Sequence, residues 1–365
     1  MVVGVQAQDI KRLAHRCGFE LAGIALAEPS PDRERYRTWV SSGMAGAMSY
    51  LTDHRAELRM DPRSLLPDAR SILCVGKLYN TPQPYSTDFN DAERGWISRY
   101  AWGEDYHNVL RRDLERLVAM LPSGHRYRIC VDTAPLLERS YAHRAGLGWI
   151  GKNTCLIHEP LGSWFFLGEI LTTLPLEPDG APPDRCGTCT RCIDACPTAA
   201  IAPAGYELDA RLCISYFNIE LRGPVPEEHR GAMGHNVFGC DICQDVCPWN
   251  RRAPVTADPA FAAFHDAPPL SRMAELTQEA FREMFRKTPV ARAKYAGFLR
   301  NVAIAMGNAG QPQFREPLER LAMFPNPLVS EHALWALRQL AGASGARNGV
   351  QGNVPAGRAN AQSVE

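Results

Sequence analysis

The chain has 365 residues, 45% of them hydrophobic and 22% charged, which is enough for two or three soluble domains with proper cores. Its 40 Lys and Arg balance 40 Asp and Glu, which excludes broad electrostatic attachment to nucleic acid or anionic membrane and leaves only local basic patches. No stretch approaches the roughly 18–20 apolar residues of a membrane span, and the start MVVGVQAQDIKRLAHRCGF lacks the apolar run and cleavage site of a secretory signal. A cytoplasmic protein in a reducing compartment is expected, because eight of the twelve cysteines fall into metal-ligand spacing rather than a disulfide framework.

In chain order, AQDIKRLAHRC reads as an amphipathic helix stopping at Gly18, ELAGIALA as a strand and SILCVGKLY as a buried strand. DYHNVLRRDLERLVAML predicts a helix with Leu110, Leu114, Leu117 and Leu121 on one face. YRICVDTA is a strand running into a turn. PLLERSYAHRAG reads as a helix with Pro135 at its first position and its end at Gly146. WFFLGEILTTL is strand-like, although Glu169 interrupts it. These elements give a mixed α/β or α+β region whose strand order is not readable. PLEPDGAPPDRCG is a linker, and after Thr277 the chain is almost wholly helical. FLRNVAIAMGNAG, REPLERLAMF and VSEHALWALRQLAG resemble the helix pairs of HEAT-type repeats. They are too few to stand alone, so they are expected to pack on the rest. The tail from Ala343, rich in Gly, Ala, Asn and Gln, is expected to be disordered.

Between linker and helices lie Cys186, Cys189, Cys192 and Cys196, spaced C-x2-C-x2-C-x3-C and followed by Pro197. That is the spacing of a [4Fe–4S] run, in which three close thiolates wrap one cluster and the fourth reaches another. Cys240, Cys243 and Cys247, followed by Pro248, repeat the ending, but Val237 occupies the place of the first cysteine and Cys213 is the obvious replacement. The crossed rule of two-cluster ferredoxins assigns Cys186, Cys189, Cys192 and Cys247 to one cluster and Cys196, Cys213, Cys240 and Cys243 to the other. Two zinc sites would leave the x3-C-P endings unexplained. Cys17, Cys74, Cys130 and Cys155 sit in helix or strand patterns and receive no role.

The densest polar chemistry elsewhere is VDTAPLLERSYAHRAGLGWIGKNTCLI. Asp132 ends a strand before a helix, where a carboxylate can cap the helix or face a cleft. Arg139, His143 and Arg144 follow, with solvated charge as the plain reading. Gly146, Gly148 and Gly151 with Lys152 make a loop able to approach a ligand closely, yet Asn153 breaks the P-loop pattern.

Taken together, HRAELRMDPRSLLP, SRYAWGEDYH, the Asp132 segment, GSWFFLGEILT, CGTCTRCIDACPTAAI, RLCISYFNIELRG and GCDICQDVCPWN resemble the epoxyqueuosine reductase family, in that order and over roughly residues 5–340. The resemblance implies an α+β protein with a cobalamin-binding α/β domain at 1–178, a ferredoxin-like domain with two [4Fe–4S] clusters at 179–255, a HEAT-like helical domain at 256–342 and a disordered tail at 343–365. It implies reduction of epoxyqueuosine to queuosine at the wobble position of tRNA. Electrons would pass from an unidentified donor through the clusters to cobalamin, with no membrane involved and the chain acting as a monomer. Asp132 matches the family's proton donor, a role that calls for a raised pKa. Arg55, Tyr100, Asp132, Asn153, Ser163 and Ser215 are the implied cobalamin contacts. No D-x-H-x-x-G motif is present, so the corrinoid is expected base-off without a protein ligand. Arg222, Arg230, Arg251, Arg252, Arg292, Lys294 and Arg300 are the implied tRNA contacts, against the plain reading of a solvated surface. A reductive dehalogenase-like cobalamin enzyme and a ferredoxin-like electron carrier are the alternatives.

Overall fold

The computed structural model describes residues 6–264 and 266–348. The N-terminal half is built on a four-stranded antiparallel sheet of β1 (Leu21–Leu26), β2 (Ser71–Leu78), β3 (Tyr127–Cys130) and β4 (Phe165–Thr172), in the spatial order β1–β2–β4–β3. Successive side chains of a strand point to opposite faces. Leu73 and Val75 of β2 therefore join a core with helices α1 (Ala7–Arg16) and α2 (Tyr106–Val118), while Ile72, Cys74 and Leu78 join another with α3 (Glu138–Arg144). Covered on both faces, β2 is buried along its whole length. Helix α3 approaches β1 so closely that a Cβ on Gly23 would stand 1.9 Å from the Ala145 carbonyl oxygen. The mixed class expected from the sequence is present, and its sheet is antiparallel.

One helix begins later than its sequence implies. Pro135 lies in the turn before α3, which starts at Glu138. The segment between is tied back by Asp132, whose backbone N–H donates 2.5 Å to Glu138 Oε1, and this bond holds residues 132–137 out of the helix.

In the cysteine-rich segment, one-turn helices Arg191–Asp194 and Ile242–Asp245 follow the two ligand loops and pack on each other. The last third consists mainly of α4 (Tyr295–Ala309), α5 (Arg315–Ala322) and α6 (Pro327–Asn348). Helix α4 is buried almost all round, because one core joins its Phe298, Val302 and Ala305 to Trp335 of α6 and to Phe217, Val237 and Phe238 of the cysteine-rich segment. Gly307 permits the close α4–α6 crossing, since a Cβ there would lie 2.8 Å from Ala336 Cβ. The C-terminal helices thus pack on the rest of the chain, as their number predicts. Helix α6 runs to Asn348, six residues into the stretch read as disordered from Ala343, because the Ala-rich sequence continues its turn. Residues 349–365 lie outside the described residues. Among the described residues no helix is long and apolar enough to cross a membrane.

Candidate functional site

The fold brings cysteines of the two runs into mutual proximity. Cys192 is held among Cys186 and Cys189, and Cys247 lies against Cys186 and Cys192. Cys240 faces Cys213 and Cys196, and Cys243 faces Cys240 and Cys213. Burial, then the proximity of the other thiols, pushes Cys192 up to about 11, so this thiol is held protonated and a cationic iron centre is what would draw its proton off. Among the described residues no three such side chains close to the separation a single metal ion needs. An iron–sulfur cube holds its four thiolates further apart than one ion does, and the all-thiolate donor set fits it. Cys155 lies within hydrogen-bond reach of Cys243, a neighbour its strand pattern did not disclose.

The glycine-rich loop serves these cysteines. Residues Trp149–Ile150 and Leu156–Ile157 pair as a short hairpin, from which Lys152 Nζ donates to the carbonyls of Gly187 at 2.7 Å and Cys189 at 3.0 Å. Trp149 meets Trp249 edge-on at 5.0 Å and packs against Cys247 and Cys186. Two of the expected cobalamin contacts also belong to this seam. Asn153 Nδ2 donates to the Cys243 carbonyl at 3.2 Å, and Ser163 Oγ bonds Gln244 and Asn250. Both side chains are buried and fix the second cysteine loop, so neither faces an open ligand site.

Asp241 links that loop to the N-terminal half. Buried among hydrogen-bond donors, it accepts from Trp96 Nε1 at 3.0 Å, Ser98 Oγ at 2.5 Å and Arg99 N at 2.8 Å. The next residue, Tyr100, touches the loop from the other side. Its ring lies 6.0 Å from Phe238 and 6.1 Å from Tyr106, and Gly239 leaves room for the neighbouring Ser98, from whose Cβ a Cβ there would stand 2.3 Å.

Beyond Tyr100 stands Asp132. It has a positive φ of 44°, a backbone state that Asp tolerates better than most residues, and 46% of its side chain is open. Its Oδ2 lies 3.0 Å from His107 Nε2, while His107 Nδ1 lies 2.7 Å from Asp105 Oδ1. The two rings beside it are in register: Tyr106 stacks on His107 at 4.1 Å and on Phe166 at 4.4 Å. Burial alone would lower the His107 pKa, but bonds to Asp105 and Asp132 outweigh it and carry the imidazole up to about 9. Burial likewise works to raise Asp132, but the hydrogen bond and charge of His107 outweigh it and the pKa falls below the ordinary carboxylate value. The expectation of a raised Asp132 pKa is therefore corrected. In this geometry the shared proton is stored on His107, and Asp132 is its ionised partner.

Across from Asp132 are Tyr50, Arg292 and Glu220. The Arg292 guanidinium lies 5.4 Å over the Tyr50 ring and donates to Glu220 at 2.5 Å. Arg55 stands at the outer edge, 6.0 Å from the Tyr50 ring and paired with Asp53 at 2.6 Å. Ser215 precedes the π-helical turn Tyr216–Glu220 that carries Glu220. Arg55, Tyr100 and Asp132 therefore border one half-open face, lined with hydroxyl and guanidinium donors, whereas the Ser215 backbone turns toward Cys213. The imidazole of His107 is engaged at both nitrogens and is not free to ligate a metal.

The charge arrangement sets a pH signature. The folded-state pKa of His107 exceeds the ordinary 6.5, so its contribution to stability is complete below about 6.5 and disappears as pH rises through about 9. Because Asp132 is almost half exposed, solvent screens the pair and the loss is well short of the full shift. Thermal unfolding followed across this window should show the decline in the wild type and its absence in His107→Gln.

The cations expected to bind tRNA fall into three groups. Arg222, Arg251, Arg252 and Lys294 are not buried. Arg292 is half-buried and committed to Glu220, with Asp132 within reach of its charge. Arg230 and Arg300 are buried, Arg230 between the Val225 carbonyl and Glu331 and Arg300 among backbone carbonyls. Neither can reach a phosphate, and both are corrected to structural roles.

Comparison with known proteins bears on the whole chain. Residues 185–250 match the 4Fe-4S double cluster binding domain, and residues 59–133 match the family Epoxyqueuosine reductase QueG. An epoxyqueuosine reductase from Xanthomonas campestris pv. campestris is 41% identical over 345 residues, covering 91% of this chain and 96% of that one. The Escherichia coli epoxyqueuosine reductase is 36% identical, covering 91% and 89%. Among solved structures, an epoxyqueuosine reductase with an epoxyqueuosine-modified tRNA-Tyr stem loop superposes with a TM-score of 0.84 at 29% identity, over 95% of this chain and 94% of that one. The Bacillus subtilis enzyme, solved with an aspartate-bearing catalytic loop swung out of its active site, gives 0.83 at 28% identity over 91% and 90%.

Proposed function

The chain belongs to the epoxyqueuosine reductase family, and on that premise we propose that it reduces epoxyqueuosine to queuosine in tRNA at the face bounded by Asp132, His107, Tyr100 and Tyr106. Removing an epoxide oxygen as water breaks two C–O bonds, forms one C=C bond and consumes two electrons and two protons. The observation that carries the reading is the placement of the Asp132–His107 pair beside Tyr100, whose segment is clamped to the second cysteine loop through Asp241. Electrons arriving at that loop and protons held on that pair meet at one face.

Cys186, Cys189, Cys192 and Cys247 would hold one [4Fe–4S] cluster, and Cys196, Cys213, Cys240 and Cys243 the other. Cobalamin would sit at the half-open face, where Arg55, Tyr100 and Ser215 would meet its polar side chains, and His107, engaged at both nitrogens, would not ligate the cobalt. When bound and reduced, cobalamin supplies the electrons that cleave the C–O bond. The protein's own share is to orient the epoxide and to deliver protons to its oxygen. His107 donates toward Asp132, and Asp132 passes the proton on once substrate displaces solvent from its exposed side. Arg292, held by Glu220, faces the same carboxylate and favours its charged form between transfers. A titratable aspartate in this loop accords with the aspartate-bearing catalytic loop of the Bacillus subtilis relative.

Arg222, Arg251, Arg252 and Lys294 are the exposed cations left to contact tRNA phosphates. Arg251→Glu with Arg252→Glu should weaken stem-loop binding at every sequence, and should flatten the dependence of log affinity on log salt by about one for each phosphate no longer neutralised. An unchanged slope would remove these two from the interface. A cytoplasmic, monomeric enzyme served by a separate low-potential donor completes the reading.

The decisive experiment uses anaerobically purified protein loaded with cobalamin, a low-potential reductant and tRNA bearing epoxyqueuosine. Nucleoside mass spectrometry should show queuosine appearing. Its absence, with full clusters and bound corrinoid, would overturn the proposal.

A further inference from the structure

Two protons are consumed in each turnover, and the Asp132–His107 pair holds one. A second acidic site stands directly behind it. Glu169, in the middle of β4, is 0% exposed, and neither of its carboxylate oxygens has a hydrogen-bond donor. Its side chain meets that of Glu138, the first residue of α3. Glu138 in turn accepts the backbone N–H of Asp132. On the strands flanking β4, Cys74 and Cys130 stand directly opposite Glu169, and burial keeps both thiols neutral. Arg139 and Arg144 on α3 and Arg128 on β3 are the nearest cations, and none of them bonds to either carboxylate: Arg139 donates to the Thr154 carbonyl, Arg144 pairs with Glu28 and Arg128 donates to the Leu65 carbonyl. Two carboxylates are acceptors only. With Glu169 fully buried, Glu138 half-buried against it and no cation bonded to either, they cannot both be ionised, and a shared proton turns one into the donor the other lacks.

We propose that Glu138 and Glu169 share one proton and form an internal reserve that recharges the Asp132–His107 pair, supplying the second proton of the deoxygenation. The role in turnover rests on the function proposed above; the shared proton itself does not. The first proton passes from His107 through Asp132 to the epoxide oxygen as one C–O bond opens. The second passes from the Glu138–Glu169 couple to Asp132 and on to the departing oxygen, which leaves as water. The couple and His107 each regain a proton from solvent through the open side of Asp132, which replaces the two consumed. Burial, followed for Glu138 by the charge of Asp132 and for Glu169 by that of Glu138, raises both carboxyls above the ordinary range, as a reserve charged at neutral pH requires. Glu138 and Glu169 are positioning residues, since they act through Asp132.

Infrared spectroscopy of the cluster-loaded protein without substrate tests the shared proton. At neutral pH the wild type should show a protonated-carboxyl band that shifts in heavy water, persists in Asp132→Asn and is lost in Glu169→Gln. A wild type without the band, or a band untouched by both Glu169→Gln and Glu138→Gln, overturns the proposal. Single-turnover reduction of a modified stem loop tests the role. Each Gln variant should slow product formation about tenfold or more, with KM unchanged and a larger solvent deuterium effect. Glu138→Gln, nearer the open side, keeps the test meaningful if Glu169→Gln folds poorly. A wild type that makes no queuosine overturns the functional reading and with it the pair's role in turnover. Turnover by both variants at the wild-type rate across the pH range overturns the reserve alone.

Discussion

Asp132→Asn should lower epoxyqueuosine reduction by a factor of about 10³, within the range that a positioned general acid contributes. Asparagine has nearly the size of aspartate, so the loop with its positive φ and the Glu138 bond to the backbone N–H should persist. What disappears is the charge. His107 would keep Asp105 as a partner at 2.7 Å but lose Asp132, and its pKa should fall from about 9 toward the ordinary 6.5. Two readouts separate this from a collapsed site. Cluster absorbance should be unchanged, because no cysteine contacts Asp132, and stem-loop affinity should be unchanged, because the side chain delivers a proton rather than binding phosphate. His107→Gln should give a smaller loss than Asp132→Asn, since it removes the stored proton but leaves the carboxylate that hands protons on. If Asp132→Asn turned over at the wild-type rate with normal clusters, Asp132 would be a loop residue and the plain capping reading would return.

The parts of this site written in local spacing were legible in the sequence, and the parts made by long-range packing were not. Eight thiols at fixed offsets specify two crossed groups because a cluster is bound by loops only a few residues long. Asp132 could be located because a strand end and a helix start bracket it, but its ionisation could not: His107 lies 25 residues away and reaches it across the sheet edge. The segment SRYAWGEDYH carried His107, Tyr106 and Tyr100 in plain view, without a pattern to say that they face one carboxylate. Glu169 was visible as an interruption in an apolar strand, which is the trace a buried titratable group leaves when its partner, Glu138, comes from another element. The same limit misassigned Asn153, Ser163, Arg230 and Arg300. A polar side chain near a motif looks the same from sequence whether it meets a ligand or a backbone carbonyl.

Arg300 shows how large that difference is. It lies on α4 with 1% of its surface exposed, and its guanidinium donates to the carbonyls of Leu221 at 2.8 Å, Gly223 at 2.7 Å and Phe217 at 2.5 Å. Asn301 Oδ1 takes two more of its bonds, at 3.0 and 2.9 Å. Burial draws its pKa down to about 10, yet at neutral pH it stays charged, because five hydrogen bonds to four acceptors replace the water it lost. Arg300→Met would leave three carbonyls without donors in a dry interior, at roughly 1–3 kcal/mol each when unrelieved. With part of the loss offset by the apolar side chain, urea unfolding should report a destabilisation of about 3–5 kcal/mol. The carbonyls belong to the π-helical turn Tyr216–Glu220 and its exit, which follows Cys213 and presents Glu220 to Arg292. Iron content should therefore fall in the variant through loss of the cluster that Cys213 would ligate, before the rest of the chain unfolds. The folded fraction should keep the wild-type salt slope for the tRNA stem loop, whereas removing a true phosphate partner would lower it by about one. A salt slope that dropped while stability held would return Arg300 to the tRNA surface.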